Sequence, residues 1–325
     1  MIPQAKLNLF LIFSQSRFNI RDVAEIGSLV MRKAPDILVH VVSPHSTADN
    51  VSKNAWRGPA LTVSLAGGTG KFIPSRGPIL FNQPLSKFEQ HRRLTSAGLN
   101  TPHTAKFQFG ESYHEDDWSE FVVLKPANLK MTSKGKNVRL MRTRRLHQIS
   151  QQGPNGPDSA KMKDTIVQQF IDSGELATFW RPMTLFGRTL YCMKSWSPIP
   201  RPALTAPDEE IEAAIIEPKQ AEVVSKFKVS EMRALEHDPE VVELARKVHA
   251  TVPNYPLLGC DIIREISSGK LFVIEMNAGG NVWHFSSRRA ALGLATITRE
   301  DRIKQYGAWD IAADSLIEKT RALAC

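Results

Sequence analysis

Cysteine is scarce in this sequence. Only Cys192, Cys260 and Cys325 occur among its 325 residues, and no two of them form a CxxC pair. An odd number of widely spaced cysteines is unsuited to a disulfide framework and is typical of reduced thiols. We therefore expect a protein of a reducing compartment, the cytoplasm.

Long hydrophobic runs are missing as well. The longest early run of mainly apolar residues covers positions 7–13, far short of the roughly 20 residues that a membrane-spanning helix needs. The serine-rich positions 14–16 followed by Arg17 make a poor signal-peptide cleavage site. We expect a buried first strand here and no membrane partner.

Repeats and low-complexity tracts are also missing, and the chain is 42% hydrophobic and 23% charged. This composition excludes a disordered tail and a collagen-like chain. At roughly 100 to 200 residues per domain, the length indicates about two domains or one larger unit with several lobes.

The charge balance is basic, since 42 Lys and Arg against 33 Asp and Glu give +9. Such a charge suits nucleic acid, but it also suits an enzyme that holds nucleotide phosphates. The densest basic run comprises Arg139, Arg142, Arg144 and Arg145, and it lacks the interleaved aromatics on which single-stranded nucleic acids stack. The run is more typical of a solvated face, so we do not expect a nucleic-acid partner.

Alternating apolar and turn-rich stretches predict a small N-terminal α/β lobe with strands over 7–13, 36–42 and 61–66. Ser86 and Glu89 form a capping box that begins a helix, with Lys87 in its first turn and Gly98 at its end. Further strands are expected over 121–126, 137–141 and 165–171, followed by a hairpin over 179–186 and 189–196. A short helix is expected over 209–216, and Asp238 is expected to cap a longer one.

Several familiar catalytic motifs are excluded. Residues 67–71 read GGTGK, but a P-loop needs glycine where Leu65 stands and Ser or Thr where Phe72 stands. The sequence has no HExxH, no GxSxG and no Cys/His set with metal-ligand spacing. We interpret residues 67–71 as a glycine-rich turn.

The most informative segment is LLGCDIIREISSGKLFVIEMNAGG, over 257–280, which predicts a β-hairpin. A three-residue loop ending at Gly269 would place Asp261 directly opposite Glu275, with Cβ atoms about 4.5 to 5.5 Å apart. Asn277 would then lie on the same face. A two-residue loop would instead turn Asp261 to the other face.

Two carboxylates and an amide on one face suit a hard divalent cation such as Mg²⁺, which keeps other positions for water and phosphate oxygens. The alternative is a solvated face with scattered acids. Lys125 lies near the end of the strand FVVLKP and points either into a cleft or to solvent. The loop containing Ser133, Lys134, Gly135 and Lys136 could fold over phosphates.

Taken in order, these segments resemble the ATP-grasp superfamily of carboxylate-amine ligases, similar to glutamate-ligase and D-alanine-D-alanine-ligase-like enzymes. The matching segments are GLNTP after the helix of Lys87, then VVLKPA, SKGKNVRL, VQQFIDSGE, TFWRPMTLFGRTLYCMK, LGCDII and VIEMNAGG. They span about residues 77–285. The acid-x-Asn pattern after a hairpin whose first strand carries Gly-x-Asp is the most specific of them.

The resemblance implies a role for each matching residue. Contacts with the ATP phosphates are implied for Lys87, Lys125, Ser133, Lys134 and Gly135. Contacts with adenine, largely through the backbone, are implied for Gln168, Gln169, Phe170 and Ile171, and contacts with the ribose for Glu175. Neutralisation of the transferred phosphoryl group is implied for Arg181 and Lys194, and binding of Mg²⁺ or Mn²⁺ for Asp261, Glu275 and Asn277.

The implied fold is α/β, with two ATP-grasp lobes clamping ATP and a small N-terminal domain, divided as 1–82, 83–168 and 169–325. The implied activity is ATP-dependent amide or peptide bond formation between a small carboxylic acid and an amine, through an acyl phosphate. An ATP-grasp kinase and a non-catalytic nucleotide- or nucleic-acid-binding module are the alternatives. Trp283 and His284 lie outside the general pattern and either line the substrate pocket or are structural. A homodimer is compatible with the sequence.

Overall fold

A computed structural model of the protein describes residues 6–14, 18–45, 58–72, 74, 76–127, 138–213, 232–278, 282–287 and 297–325. Within these ranges the strands form one five-stranded and two four-stranded sheets. No helix in them is long and apolar enough to cross a membrane.

The first sheet is parallel and comes from the N-terminal part of the chain. Its lobe contains β1 (Leu7–Ile12), α1 (Ile20–Lys33), β2 (Ile37–Val42), β3 (Ala60–Ser64) and β4 (Ile79–Leu80). The strand order is β2-β1-β3-β4, so β1 pairs on both edges. Leu9 and Phe10 of β1 are both almost fully buried, as expected for a central strand of a parallel sheet. The three predicted N-terminal strands are confirmed.

The second sheet is antiparallel and follows α2 (Lys87–Ser96). The side chain of Ser86 accepts a hydrogen bond from the Glu89 backbone N–H, which confirms the predicted helix start. The elements that follow are β5 (Thr104–Lys106), α3 (Glu115–Trp118), β6 (Phe121–Pro126), β7 (Arg139–Arg142), α4 (Thr143–Gln151), α5 (Ser159–Met162) and β8 (Thr165–Gln169). The order is β5-β8-β6-β7, and β8 ends two residues before its predicted end.

The third sheet is also antiparallel. Its part of the chain contains β9 (Thr178–Leu185), β10 (Arg188–Trp196), α6 (Asp208–Ala213), β11 (Met232–Leu235), α7 (Pro239–Ala250), β12 (Leu257–Arg264) and β13 (Leu271–Ala278), followed by α8 (Arg299–Tyr306) and α9 (Ala308–Leu323). The strand order is β11-β10-β9-β12-β13. The predicted hairpin of β9 and β10 and the Asp238 cap of α7 are confirmed. The sequence did not predict β11.

One hydrophobic core joins the first and third lobes. It includes Leu9 and Leu61 of the first sheet, Met183 of the third, and Ala312 of α9. The C-terminal helix α9 therefore packs with the N-terminal lobe, although it is far from it in sequence. Each sheet lies within one of the predicted domains apart from Gln169, and the domain bounds themselves stay a prediction.

A buried ionic network also connects these lobes. Asp22 of α1 is fully buried and accepts a hydrogen bond from Trp283 Nε1 at 2.7 Å. Its other oxygen lies 2.8 Å from Arg299 Nε at the start of α8. Because a buried carboxylate is costly without partners, this network holds α1 against the C-terminal region only while it is complete.

We expect Asp22→Ala to lower the free energy of unfolding by about 3 to 5 kcal/mol, the cost of removing one partner of a buried ion pair. Urea unfolding followed by tryptophan fluorescence measures it. The matched control is Asp310→Ala, since Asp310 pairs with Lys33 while its side chain is 66% exposed. That variant should lose less than about 1 kcal/mol, and equal losses in both variants would contradict the prediction.

Candidate functional site

The β12–β13 hairpin places Asp261 directly opposite Glu275, as predicted, but by a different route. The Glu265 N–H donates to the Lys270 carbonyl, so the loop has four residues rather than three. A register shift between Asp261 and Ile262 offsets this difference of one residue. Such a bulge re-aims the side chains beyond it, and it brings both acids to one face.

Asn277 lies opposite Gly259 on that same face of the third sheet. Its Nδ2 atom is buried and has no hydrogen-bond partner among the described residues. No group of three His, Cys, Asp or Glu side chains in the described ranges could hold a metal ion. Binding of a cation here would use the Asn277 Oδ1 oxygen, since Nδ2 is a hydrogen-bond donor. Two carboxylates and an amide oxygen are donor types that suit Mg²⁺ or Mn²⁺.

Arg181 of β9 lies beside these acids and binds Asp261 with both arms. Its Nε is 2.6 Å from Asp261 Oδ1, and its Nη2 is 2.7 Å from Oδ2. The guanidinium also lies 5.2 Å from the centre of the Phe179 ring. The structure thus brings Arg181 to the candidate metal site.

Helix α2 brings Lys87 to the other acid, with Lys87 Nζ 3.3 Å from Glu275 Oε1. One turn further on, Gln90 Oε1 accepts a hydrogen bond from the Met276 N–H of β13 at 2.8 Å. This bond satisfies a donor on the edge strand of the sheet and fixes the position of α2. Gln90 is a positioning residue that sequence reasoning missed.

Lys125 of β6 extends from the second sheet toward the same region and donates a hydrogen bond to Gln168 Oε1. Gln168 is held in turn by a 3.0 Å bond from its Nε2 to Thr104 Oγ1. Burial, together with the nearby Lys87 ammonium, lowers the pKa of Lys125 to about 7, against the opposing pull of Glu275 and Asp261. The cleft interpretation of Lys125 is therefore the one the geometry favours.

A cavity between the second and third sheets is lined by residues of both sheets, of α2 and of the segment that follows α2. They are Lys87, Gln90, His91, Leu94, Thr101, Thr104, Lys125, Ile166, Gln168, Val273 and Ile274. His91 was missed by sequence reasoning, although it follows Lys87 by four residues and so shares its helix face. Its Nδ1 is 3.0 Å from Thr101 Oγ1, and burial lowers the pKa of His91.

The predicted adenine segment is only partly free to bind. The N–H groups of Gln169 and Phe170 donate to the carbonyls of His103 and Phe121. Ile171 is buried with Phe179 in a small apolar cluster. Gln168 alone of the four lines the cavity, and backbone contact with adenine stays a prediction.

Glu175 is exposed, and its role at the ribose stays a prediction. Sequence reasoning passed over its neighbour Asp172, which forms 2.9 Å contacts with Arg201 Nη2 and with the Gly174 N–H. This arrangement fixes the start of the linker between β8 and β9.

Lys194 is not brought to the candidate site. It pairs in register with Trp180, next to Arg181, and successive residues of a strand point to opposite faces. Lys194 lies 3.0 Å from Glu236 Oε2 and 5.0 Å from the Trp180 ring centre. These contacts explain its position without a role at the metal.

The basic run is largely ion-paired. Arg142 contacts Glu120 and Asp208, and Arg145 contacts Asp158. The absence of a nucleic-acid partner stays a prediction. The predicted phosphate loop with Ser133, Lys134 and Gly135 lies outside the described residues.

Trp283 and His284 are buried against the sheet face that carries Asn277. Residue 259 has to be glycine for this packing, since a Cβ there would lie 2.9 Å from Val282 Cγ1. Trp283 serves the Asp22 network, and the His284 ring stacks on Tyr191 at 6.4 Å. These contacts fit a structural role for Trp283 and His284 rather than a place in the substrate pocket.

Comparison with solved structures identifies the fold. The D-cycloserine synthetase DcsG is similar over 96% of this chain and 99% of its own, with a TM-score of 0.50 and 14% identity. The ATP-grasp ligase PsnB, complexed with a phosphomimetic variant of its minimal precursor, Mg and ADP, is similar over 97% and 99%, with a TM-score of 0.51 and 11% identity. Neither a protein-family model nor a curated protein sequence matches the chain.

The chain therefore has the ATP-grasp fold, as the sequence resemblance implied. In this α/β architecture the four-stranded second sheet and the five-stranded third sheet lie on opposite sides of the cavity. At such low identity the similarity shows the fold, and the activity has to be argued from the residues.

We expect Lys125→Met to stabilise the protein more at pH 7 than at pH 9. With its folded pKa near 7 rather than 10.5, the Lys125 ammonium destabilises the fold below pH 7. That cost is relieved as the pH rises toward 10, because the unfolded chain still holds the proton there. The stability gain of the variant should shrink by on the order of 1 to 2 kcal/mol over this range.

Urea unfolding of variant and wild type at both pH values measures this difference. Lys247→Met is the matched control, since the Lys247 side chain is 53% exposed. Its effect should not depend on pH. If Lys125→Met raised the free energy of unfolding equally at pH 7 and pH 9, the Lys125 ammonium would be solvated in the folded protein.

Proposed function

We propose that the protein is an ATP-dependent ligase that joins a small carboxylic acid to an amine through an acyl phosphate. The observation that carries the proposal is the convergence of Asp261, Glu275 and Asn277 with Arg181 on one sheet face, opposite Lys87 and Lys125. This is a set of oxygen ligands for Mg²⁺ placed beside cations suited to phosphate.

In this proposal Lys87 and Lys125 bind the ATP phosphates, and Arg181 neutralises the transferred phosphoryl group. Asp261, Glu275 and Asn277 hold Mg²⁺ or Mn²⁺, which supplies charge neutralisation for the phosphates. Phosphoryl transfer needs little covalent help from side chains, because position and charge account for most of the effect. We leave Lys194 out of this machinery because its side chain lies on the other face of the sheet.

The carboxylate and amine substrates are also part of the proposal. Among similar folds, DcsG is named as a D-cycloserine synthetase and PsnB as a ligase complexed with a precursor peptide. Both names are compatible with a small amino acid or peptide as substrate here. We propose a cytoplasmic enzyme on the basis of its reduced cysteines.

The deciding experiment is an ADP-release assay with ATP, Mg²⁺ and pools of carboxylic acids and amines. ADP that forms only when both pools are present supports the ligase. ADP formed with a hydroxyl compound and no amine would identify a kinase instead. Nucleotide binding with no ADP under any of these conditions would identify a binding module.

We expect Glu275→Gln to reduce ADP formation at least a hundredfold while the fold is retained, because the site has few anionic ligands to spare. Steady-state ADP release and thermal unfolding measure the two effects. Glu265→Gln, in the turn of the same hairpin, is the matched control and should keep normal turnover. Near-normal turnover of Glu275→Gln would remove this residue from the metal site.

A further inference from the structure

Both acids of the candidate metal site are already ion-paired with cations of the protein. Arg181 reaches both oxygens of Asp261, at 2.6 and 2.7 Å. Lys87 lies 3.3 Å from Glu275. Two of the three residues that the proposed function assigns to phosphate groups, Arg181 and Lys87, are thus ion-paired with the two acidic metal ligands.

The charges of this group are balanced without any metal. Asp261 and Glu275 carry two negative charges, and Arg181 and Lys87 carry two positive ones. Lys125, which lies nearby, can only add positive charge. The Arg181 and Asp261 side chains are only 20% and 14% exposed, so water screens this pair weakly. A divalent cation entering alone would meet a neutral group and two repelling cations.

We propose that Arg181 and Lys87 act as internal counter-ions that keep a divalent cation out of the site until nucleotide phosphates draw them away. The metal then enters with the nucleotide or after it, and not before. This inference rests on the proposed function, because it takes the nucleotide as the ligand that releases the acids.

The exchange is physically reasonable because the phosphates replace the carboxylates as partners of the protein's cations, and the metal then replaces those cations as the partner of the carboxylates. A guanidinium binds phosphate oxygens with the same two-armed geometry that it uses for a carboxylate. When Arg181 moves from Asp261 to a phosphate, Asp261 becomes free for the metal. The Phe179 ring, 5.2 Å from the guanidinium, can support the cation in either arrangement.

Mn²⁺ binding by the full-length protein tests this, with free Mn²⁺ measured by electron paramagnetic resonance. Without nucleotide, the wild type should bind Mn²⁺ at least tenfold more weakly than Arg181→Gln. Lys87→Gln is an independent second variant and should also bind Mn²⁺ more tightly than the wild type. Adding a nonhydrolysable ATP analogue should raise wild-type affinity for Mn²⁺ at least tenfold.

Arg201→Gln is the matched control, since Arg201 also binds an aspartate, Asp172, with contacts of 2.9 Å. Removing that pair should leave Mn²⁺ binding unchanged. Asp261→Asn combined with Arg181→Gln should abolish the gain in Mn²⁺ affinity. Circular dichroism melts establish that each variant is folded.

The inference is overturned if the wild type without nucleotide binds Mn²⁺ as tightly as the folded Arg181→Gln and Lys87→Gln variants. It is also overturned if the Arg201→Gln control gains the same affinity. The arm with metal alone uses neither ATP nor turnover. If ADP forms normally but Mn²⁺ binding without nucleotide does not change as expected, the counter-ion inference is refuted and the ligase proposal stands. If Mn²⁺ binding changes as expected but no ADP forms, the ligase proposal is refuted.

Discussion

Two carboxylates placed opposite each other on neighbouring strands are the constraint on which the rest of the site depends. Asp261 and Glu275 would repel each other across the β12–β13 pair unless cations lay beside them. In the protein these cations are Arg181 from the adjacent strand and Lys87 from α2. The surrounding strands and helices position these two cations beside the two acids.

Each cation is held by its own part of the fold. Arg181 comes from β9, which pairs with β12 on the side away from β13. Lys87 comes from a helix whose Gln90 bonds to the edge of β13. Lys125 comes from a different sheet, so its approach depends on how the second lobe sits against the third. The core shared by the first and third lobes supports the strands that carry the candidate site, and the second sheet forms the opposite wall of the cavity.

The hairpin shows how a correct residue pairing can be predicted from an incorrect loop. The sequence indicated a turn at Gly269, which has φ +69°. The predicted pairing of Asp261 with Glu275 results from a four-residue loop combined with a bulge. No local sequence pattern predicts that bulge, because it depends on how β12 pairs with β9 as well as with β13. For Lys194 the resemblance implied a place beside the transferred phosphoryl group. Only the register with Trp180 shows that it points away from Arg181.

By itself the sequence determined most of the elements, the caps of α2 and α7, and the resemblance to the ATP-grasp fold. These features follow from local patterns such as Ser86 with Glu89, alternating apolar residues, and short motifs in a fixed order. The tertiary structure alone decided which charged groups meet: Arg181 with Asp261, Lys87 with Glu275, Arg142 with Asp208, and Asp22 with Arg299. The physical reason is that ion pairs form over a few ångströms between residues that are distant in sequence, so their partners are set by the packing of sheets and helices.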